Sequence, residues 1–259
     1  IVFKPKKDFT KFCIDNYKLD GKANINSNYI FGNFYNYNTE YSKIINLIDN
    51  SQKSIYIENQ WIYSTNNTNN KIFKHIADKI IEKINAKQKF EVTFVSNYLF
   101  KKYCNASDKN ITNYIRCVGE KYFINKFLLK SVNYFYTYLK NNNISDKQIN
   151  EIVSLYLFKN NMLLHNKIYI IDNYFISGTS NLWDRSYTHG NDIEISILLS
   201  GKNIKNIKNT LFNSYKNDVE SVKLCKNMNL DDFYQTKDIL YFMCLILLLL
   251  LIIILFIYI

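Results

Sequence analysis

The sequence predicts an α/β domain with a mixed, largely parallel β-sheet flanked by helices, followed by a hydrophobic helix at its C-terminal end. Three observations carry this. Short apolar segments bounded by polar turn residues alternate with longer segments of helical period. A composition of 47% hydrophobic and 16% aromatic residues over 259 residues supplies a proper core and excludes global disorder. Residues 239–259 carry no charge, and their length suits a bilayer-spanning helix.

In chain order, residues 1–40 read as an irregular N-terminal segment and 41–232 as the domain proper. Tyr41–Asp49 fits a short amphipathic helix. Ser54–Gln60 reads as a buried strand whose polar residues Glu58, Asn59 and Gln60 arrive together at its end. Between Asn70 and Lys87, Ile72, Phe73, Ile76, Ile80 and Ile84 form a helical stripe, and Phe90–Ser96 is the next strand. Strand–helix–strand order predicts a parallel pair. A long aromatic-rich helix is expected over Asn110–Leu139, at whose spacing the Tyr122–Tyr138 aromatics read as core. Ser145 and Gln148 have the capping-box spacing of a further helix start. Strands follow at Ile152–Phe158, Leu163–Ile171 and Tyr174–Ser177, with Asp172-Asn173 as a hairpin turn. A last strand, Asp192–Leu199, and a last helix, Ile204–Val222, complete the domain. The Lys-rich sequence before 239–259 favours a tail anchor with the domain on the cytosolic side.

The net charge of +11 and pI near 9.2 suit an anionic partner, whether a membrane surface, a phosphate-bearing lipid or a nucleic acid. Lysines spread over solvated faces would give the same number. The five cysteines show no CxxC or Cys/His spacing, so neither a metal site nor a disulfide framework is expected, and a reducing compartment is the default. The single Pro, six Gly and runs such as Asn141–Asn143 reflect compositional bias. A first residue other than Met suggests a fragment or a processed form.

Chemistry concentrates in His165-Asn-Lys167-Ile-Tyr-Ile-Ile-Asp172, followed by Gly178-Thr179-Ser180-Asn181. Alternation along a strand puts His165, Lys167 and Tyr169 on one face, so imidazole and ammonium can meet one phosphate. Asp172 lies an odd number of residues from His165 and reads as a hairpin cap. Glu194 is the better candidate to hold His165 in its reactive tautomer. Gly178 permits close backbone approach, while the Thr179 and Ser180 hydroxyls and the Asn181 amide suit phosphate oxygens.

These residues resemble the His-x-Lys-x4-Asp signature of the phospholipase D superfamily, with Thr179 where the family usually has Ser. Asn181-Leu-Trp-Asp184-Arg185-Ser186 and Asn191-Asp192-Ile-Glu194-Ile resemble the block after the second motif of eukaryotic phospholipase D. Ile55–Gln60 resembles the segment preceding that motif, so the likeness runs over about residues 40–200. It implies a two-histidine displacement through a phosphohistidine, without cofactor or metal. His165, Lys167, Asp172 and Glu194 take catalytic roles, and Lys167 with Gly178–Asn181 hold the phosphate. Glu58, Asn59 and Gln60 border the substrate.

Neither other histidine carries the spacing: His75 reads as a helix-surface residue and His189 as a loop residue. The missing half is expected upstream in a longer protein or in a second copy of the chain. The first reading is thus a membrane-associated enzyme that cleaves phosphatidylcholine-type glycerophospholipid to phosphatidic acid. The second is a homodimeric nuclease or cardiolipin-type phosphodiesterase, although no aromatic–basic nucleic-acid motif stands out. The third is a membrane-anchored domain with an incomplete site and no activity.

Overall fold

The computed structural model describes residues 26–32, 39–98, 111–158, 164–187 and 194–225. The apolar segment 239–259, His189, Asn191 and Asp192 lie outside the described residues. Among the described residues, no helix is long and apolar enough to cross a membrane.

Two βα crossovers build the centre of the sheet. Strand β2 (Ser54–Asn59) leads into α2 (Ile72–Asn85) and returns as β3 (Glu91–Asn97). Helices α3 (Ile111–Asn141) and α4 (Asp146–Ile152) then connect β3 to β4 (Val153–Phe158). Both pairings, β2–β3 and β3–β4, are parallel, as long crossovers permit. The expected capping box is present at α4, where Ser145 Oγ accepts from Gln148 N. Strand β5 (Lys167–Ile171) turns through Asp172-Asn173 into β6 (Tyr174–Gly178), and a two-residue connection allows only antiparallel pairing.

The remaining elements are β1 (Asn26–Gly32), α1 (Thr39–Asp49), α5 (Asp184–Tyr187), β7 (Glu194–Ser200), α6 (Ile204–Tyr215) and β8 (Val219–Val222). The eight strands run in the order β1-β7-β6-β5-β2-β3-β4-β8. The sheet is mixed and flanked by helices, as the sequence predicts, but its parallel part is confined to the three strands β2, β3 and β4. The other pairings are antiparallel.

Three boundaries differ from the sequence reading. The segment 1–40 is not irregular throughout: Asn26–Gly32 pairs along β7 and α1 begins at Thr39. The helix expected over Ile204–Val222 stops at Tyr215, where Asp218 N bonds back to Tyr215 O at 2.8 Å. Val219–Val222 then covers the edge of β4. Strand β5 begins at Lys167, leaving His165 just before it rather than within it.

Alternation along the strands makes two cores. Ile55, Ile57, Val92 and Phe94 face α1–α4, where Phe73, Ile76, Phe135 and Leu139 complete an aromatic-rich interior. Tyr56, Val95, Ile168 and Ile170 face α6, against Ile204 and partly buried Leu211 and Tyr215. The sheet is therefore buried on both faces at its centre.

Candidate active site

The antiparallel pairing of β2 with β5 sets Asn59 opposite Lys167, which brings the two motif segments together. Beyond the strands the contact continues: Gln60 N donates to Asn166 O at 3.1 Å, and Ile62 and Leu182 form an isolated bridge. Asn59 Oδ1 accepts from Trp61 N at 3.2 Å and Leu182 N at 3.1 Å, fastening the residues after β2 to those after Asn181.

Lys167 is buried, and its Nζ donates to Gln60 Oε1 and to the His165 carbonyl, each at 2.7 Å. Burial lowers its pKa to about 8, with the Glu194 charge acting the other way. The His165 side chain is exposed. The Lys167 charge, and secondarily partial burial, hold its imidazole below the ordinary range, so it is neutral at pH 7. A neutral imidazole beside a protected ammonium can attack or deprotonate at phosphorus while the lysine meets the non-bridging oxygens.

The loop after β6 is framed by two buried carboxylates. Glu194 accepts from the Thr179 hydroxyl and, at 2.6 Å, from the Ser186 hydroxyl. Glu40, in the first turn of α1, accepts from the Ser180 hydroxyl and, at 2.8 Å, from Ser196 Oγ. Burial raises the Glu40 carboxyl to about 7; Glu194 adds to the rise and the two hydroxyls oppose it. Below them Tyr169 and Tyr187 share a hydroxyl contact of 2.8 Å, and burial raises both phenols.

Several expected roles therefore change. Glu194 does not hold His165: both its oxygens are taken by hydroxyls, and it reaches the site only through its charge on Lys167. Ser180 is fully buried and spends its hydroxyl on Glu40, away from any phosphate. Thr179 is exposed, yet its hydroxyl is shared between Glu194 and Ile195 N. Gly178 is required by packing, since a Cβ there would lie 1.8 Å from Ser196 Oγ and 2.5 Å from the Ile195 carbonyl oxygen. Asn181 remains close to the site: its backbone N donates to Ser186 Oγ at 3.1 Å, and its Oδ1 is buried without a partner among the described residues.

Asp172 is not in the site. Five residues beyond Lys167, it lies ~17 Å along the strand from it. Its carboxylate accepts from Gln52 N (2.7 Å), Lys53 N (2.8 Å) and Ser54 N (2.9 Å), tying the hairpin to the start of β2. Its φ of 50° is one that Asp tolerates. Glu58 is also turned away. It faces α6, where it accepts from Tyr56 (2.9 Å), Tyr215 (2.7 Å) and Asn166. Of the three polar residues ending β2, Asn59 and Gln60 meet the site and Glu58 does not. His75 pairs with Asp49 on the helix surface at 2.8 Å, as a surface residue should.

Two contributors escaped the sequence reading. Asn97, closing β3, bonds through its side chain to Leu164 N and Leu164 O, both at 2.8 Å, and so fixes the approach to His165. A polar residue ending an apolar strand is the same signal that marks Asn59. Glu40 lies one residue before the helix expected from Tyr41, in the segment that reads as irregular, and carries no motif of its own.

No protein-family model matches the chain, and no curated protein matches it in sequence. Among solved structures it overlays on phosphatidylserine synthase of Haemophilus influenzae Rd KW20 with a TM-score of 0.57 at 13% identity. The overlay covers 83% of this chain and 44% of the synthase, so the chain spans less than half of that protein's length. The likeness shows that the chain shares the synthase's fold. Nuc, a phospholipase D family member from Salmonella typhimurium, aligns over 76% of this chain and 99% of its own at 12% identity, with a TM-score of 0.46. NucT from Helicobacter pylori aligns over the same shares at 10% identity, with a TM-score of 0.40. At such identities the likeness concerns architecture alone.

Proposed function

We propose that this phospholipase D-type domain is one half of a phosphodiesterase that hydrolyses a phosphatidylcholine-type glycerophospholipid to phosphatidic acid and the free head-group alcohol. The observation that carries the reading is Lys167, buried and held by Gln60 and the His165 carbonyl directly beside an exposed, neutral imidazole. One histidine of a complete site attacks phosphorus; the P–O bond to the head group breaks as the other histidine gives its proton to the leaving oxygen. That second residue, now neutral, takes a proton from water, which displaces the phosphohistidine and restores both groups. Neutral as it stands, His165 suits the attacking histidine, and the proton for the leaving oxygen comes from the other. The other histidine comes from a second such domain, on a longer chain or on another copy.

Lipid is favoured over nucleic acid by an aromatic shelf leading from the site. Trp61 and Trp183 meet at 4.9 Å directly after the two motif segments, and Phe127 stacks on Tyr63 at 4.4 Å. Phe123, 48% exposed, continues the shelf outward. Such a surface suits acyl chains at a membrane interface, which fits a membrane-associated enzyme. The test is choline and phosphatidic acid release from phosphatidylcholine vesicles by the full-length protein. Release that His165→Ala abolishes supports the reading; no release, or release that His165→Ala leaves intact, overturns it. Completion by a second copy predicts a dimer in sedimentation, and a protein that is active yet only monomeric assigns the second histidine to the same chain.

A further inference from the structure

A cavity of about 540 Å3 opens on the α6 face of the sheet near the start of β2. It lies on the opposite face from Lys167 and at the opposite end of β5, where Asp172 borders it. Four lysines line it, Lys53, Lys202, Lys205 and Lys208, against two carboxylates, Glu91 and Asp172. Both carboxylates are already committed. Asp172 accepts three backbone N–H groups, and Glu91 takes Lys208 Nζ at 3.3 Å. Lys53, Lys202 and Lys205 are exposed and have no acidic partner among the described residues.

The placement of two of these lysines opposes local preference. Lys205 lies in the first turn of α6 and Lys202 just before it, at the positive end of the helix, and that turn holds no acidic residue. Asn203, at the N-cap, makes no side-chain capping bond. A helix start that gathers cations and omits both carboxylate and cap is a local conflict of the kind that marks a functional site. Three ammonium groups without an acidic partner around one concavity suit several phosphate oxygens at once.

We propose that this cavity binds a soluble, multiply phosphorylated small anion, at a site separate from the His165 centre. A soluble ligand is favoured over a lipid head group because the cavity faces away from the aromatic shelf. A membrane laid against Phe123 and Trp61 does not reach Lys202 across the sheet.

The test is isothermal titration of the full-length protein with inorganic tripolyphosphate at near-physiological salt, with inorganic phosphate as reference. The expected result is saturable binding to one site, at least tenfold tighter than for inorganic phosphate. Lys202→Gln/Lys205→Gln should weaken it at least tenfold, whereas the charge-matched Lys43→Gln/Lys147→Gln, on other surfaces, and His165→Ala should leave it within twofold. Equal losses in the two double variants would reduce the effect to overall charge and overturn the proposal. So would the absence of saturable binding, or binding only to vesicles containing anionic lipid. Loss on His165→Ala alone would place the anion in the catalytic centre and overturn the separate site, while leaving the phosphodiesterase reading standing.

Discussion

Replacing Glu40 by Gln probes the buried carboxylate that no motif announces. The side chain is 1% exposed, and burial is the main reason its carboxyl rises from 4.5 to about 7. Because the folded value lies above the unfolded one, the folded state holds the proton more tightly. Below pH 4.5 both states are protonated and the group is silent; from there to about 7 stability falls as pH rises; above that the loss is constant. The gap between 4.5 and about 7, at 1.36 kcal/mol per unit, amounts to about 3 kcal/mol. Gln is neutral at every pH, and the hydroxyls of Ser180 and Ser196 can turn to bond it. The unfolding free energy of Glu40→Gln relative to wild type should therefore rise by about 3 kcal/mol between pH 4.5 and pH 8, a relative gain of roughly 6–12 °C in Tm for a domain of this size. Urea unfolding across that range, with m unchanged, measures it. A flat difference refutes the reasoning, and a difference that increasingly favours wild type at high pH would mean that the carboxylate is paired rather than merely buried.

Lys167→Arg tests the low lysine value at about 8. The wild-type pH profile of kcat/KM should fall above that pH as the ammonium is lost, and the residual activity of the arginine variant should keep no such limb, since guanidinium stays charged. A limb that persists would assign it to another group. Asp172→Ala should lower stability by about 2 kcal/mol, through the loss of three backbone contacts to a charged acceptor, while leaving kcat/KM per folded molecule unchanged. A selective fall in turnover would restore Asp172 to the chemistry. Gly178→Ala should cost about 3 kcal/mol in chemical denaturation, because its methyl group would meet both Ser196 Oγ and the Ile195 carbonyl; a neutral effect would show that β6 can shift away from β7.

The central fold was legible because its signals are local. The stripe from Ile72 to Ile80, the Ser145/Gln148 capping box and the Asp172-Asn173 turn each follow from a few neighbouring residues, and the structure has each in place. What failed to show were pairings set by distant partners. Asn26–Gly32 has little strand character of its own and is held by the free edge of β7. Val219–Val222 looked like the end of a helix because its apolar residues continue the α6 pattern, yet the edge of β4 claims it. Strand direction was overestimated as parallel because one clear crossover, β2 to β3, was extended to a sheet whose other half is built from antiparallel neighbours.

The site was half legible for the same reason. Alternation groups Lys167 with Tyr169 on one face, but neither the register that sets Lys167 opposite Asn59 nor what lies behind a hydroxyl can be read from spacing. Thr179 and Ser180 have the chemistry of phosphate ligands, and only the fold shows that Glu194 and Glu40 already occupy them. A hydroxyl that donates to a buried carboxylate cannot give the same proton to a phosphate, so the loop after β6 acts as a frame. Its two carboxylates set the position of Asn181 and, through Glu194, sustain the charge on Lys167. On the proposed function, that leaves His165, Lys167 and Asn181 to meet the substrate. The hydroxyls of this loop thus matter to a site they do not touch: without them two carboxylates would stand buried and unbonded beside it.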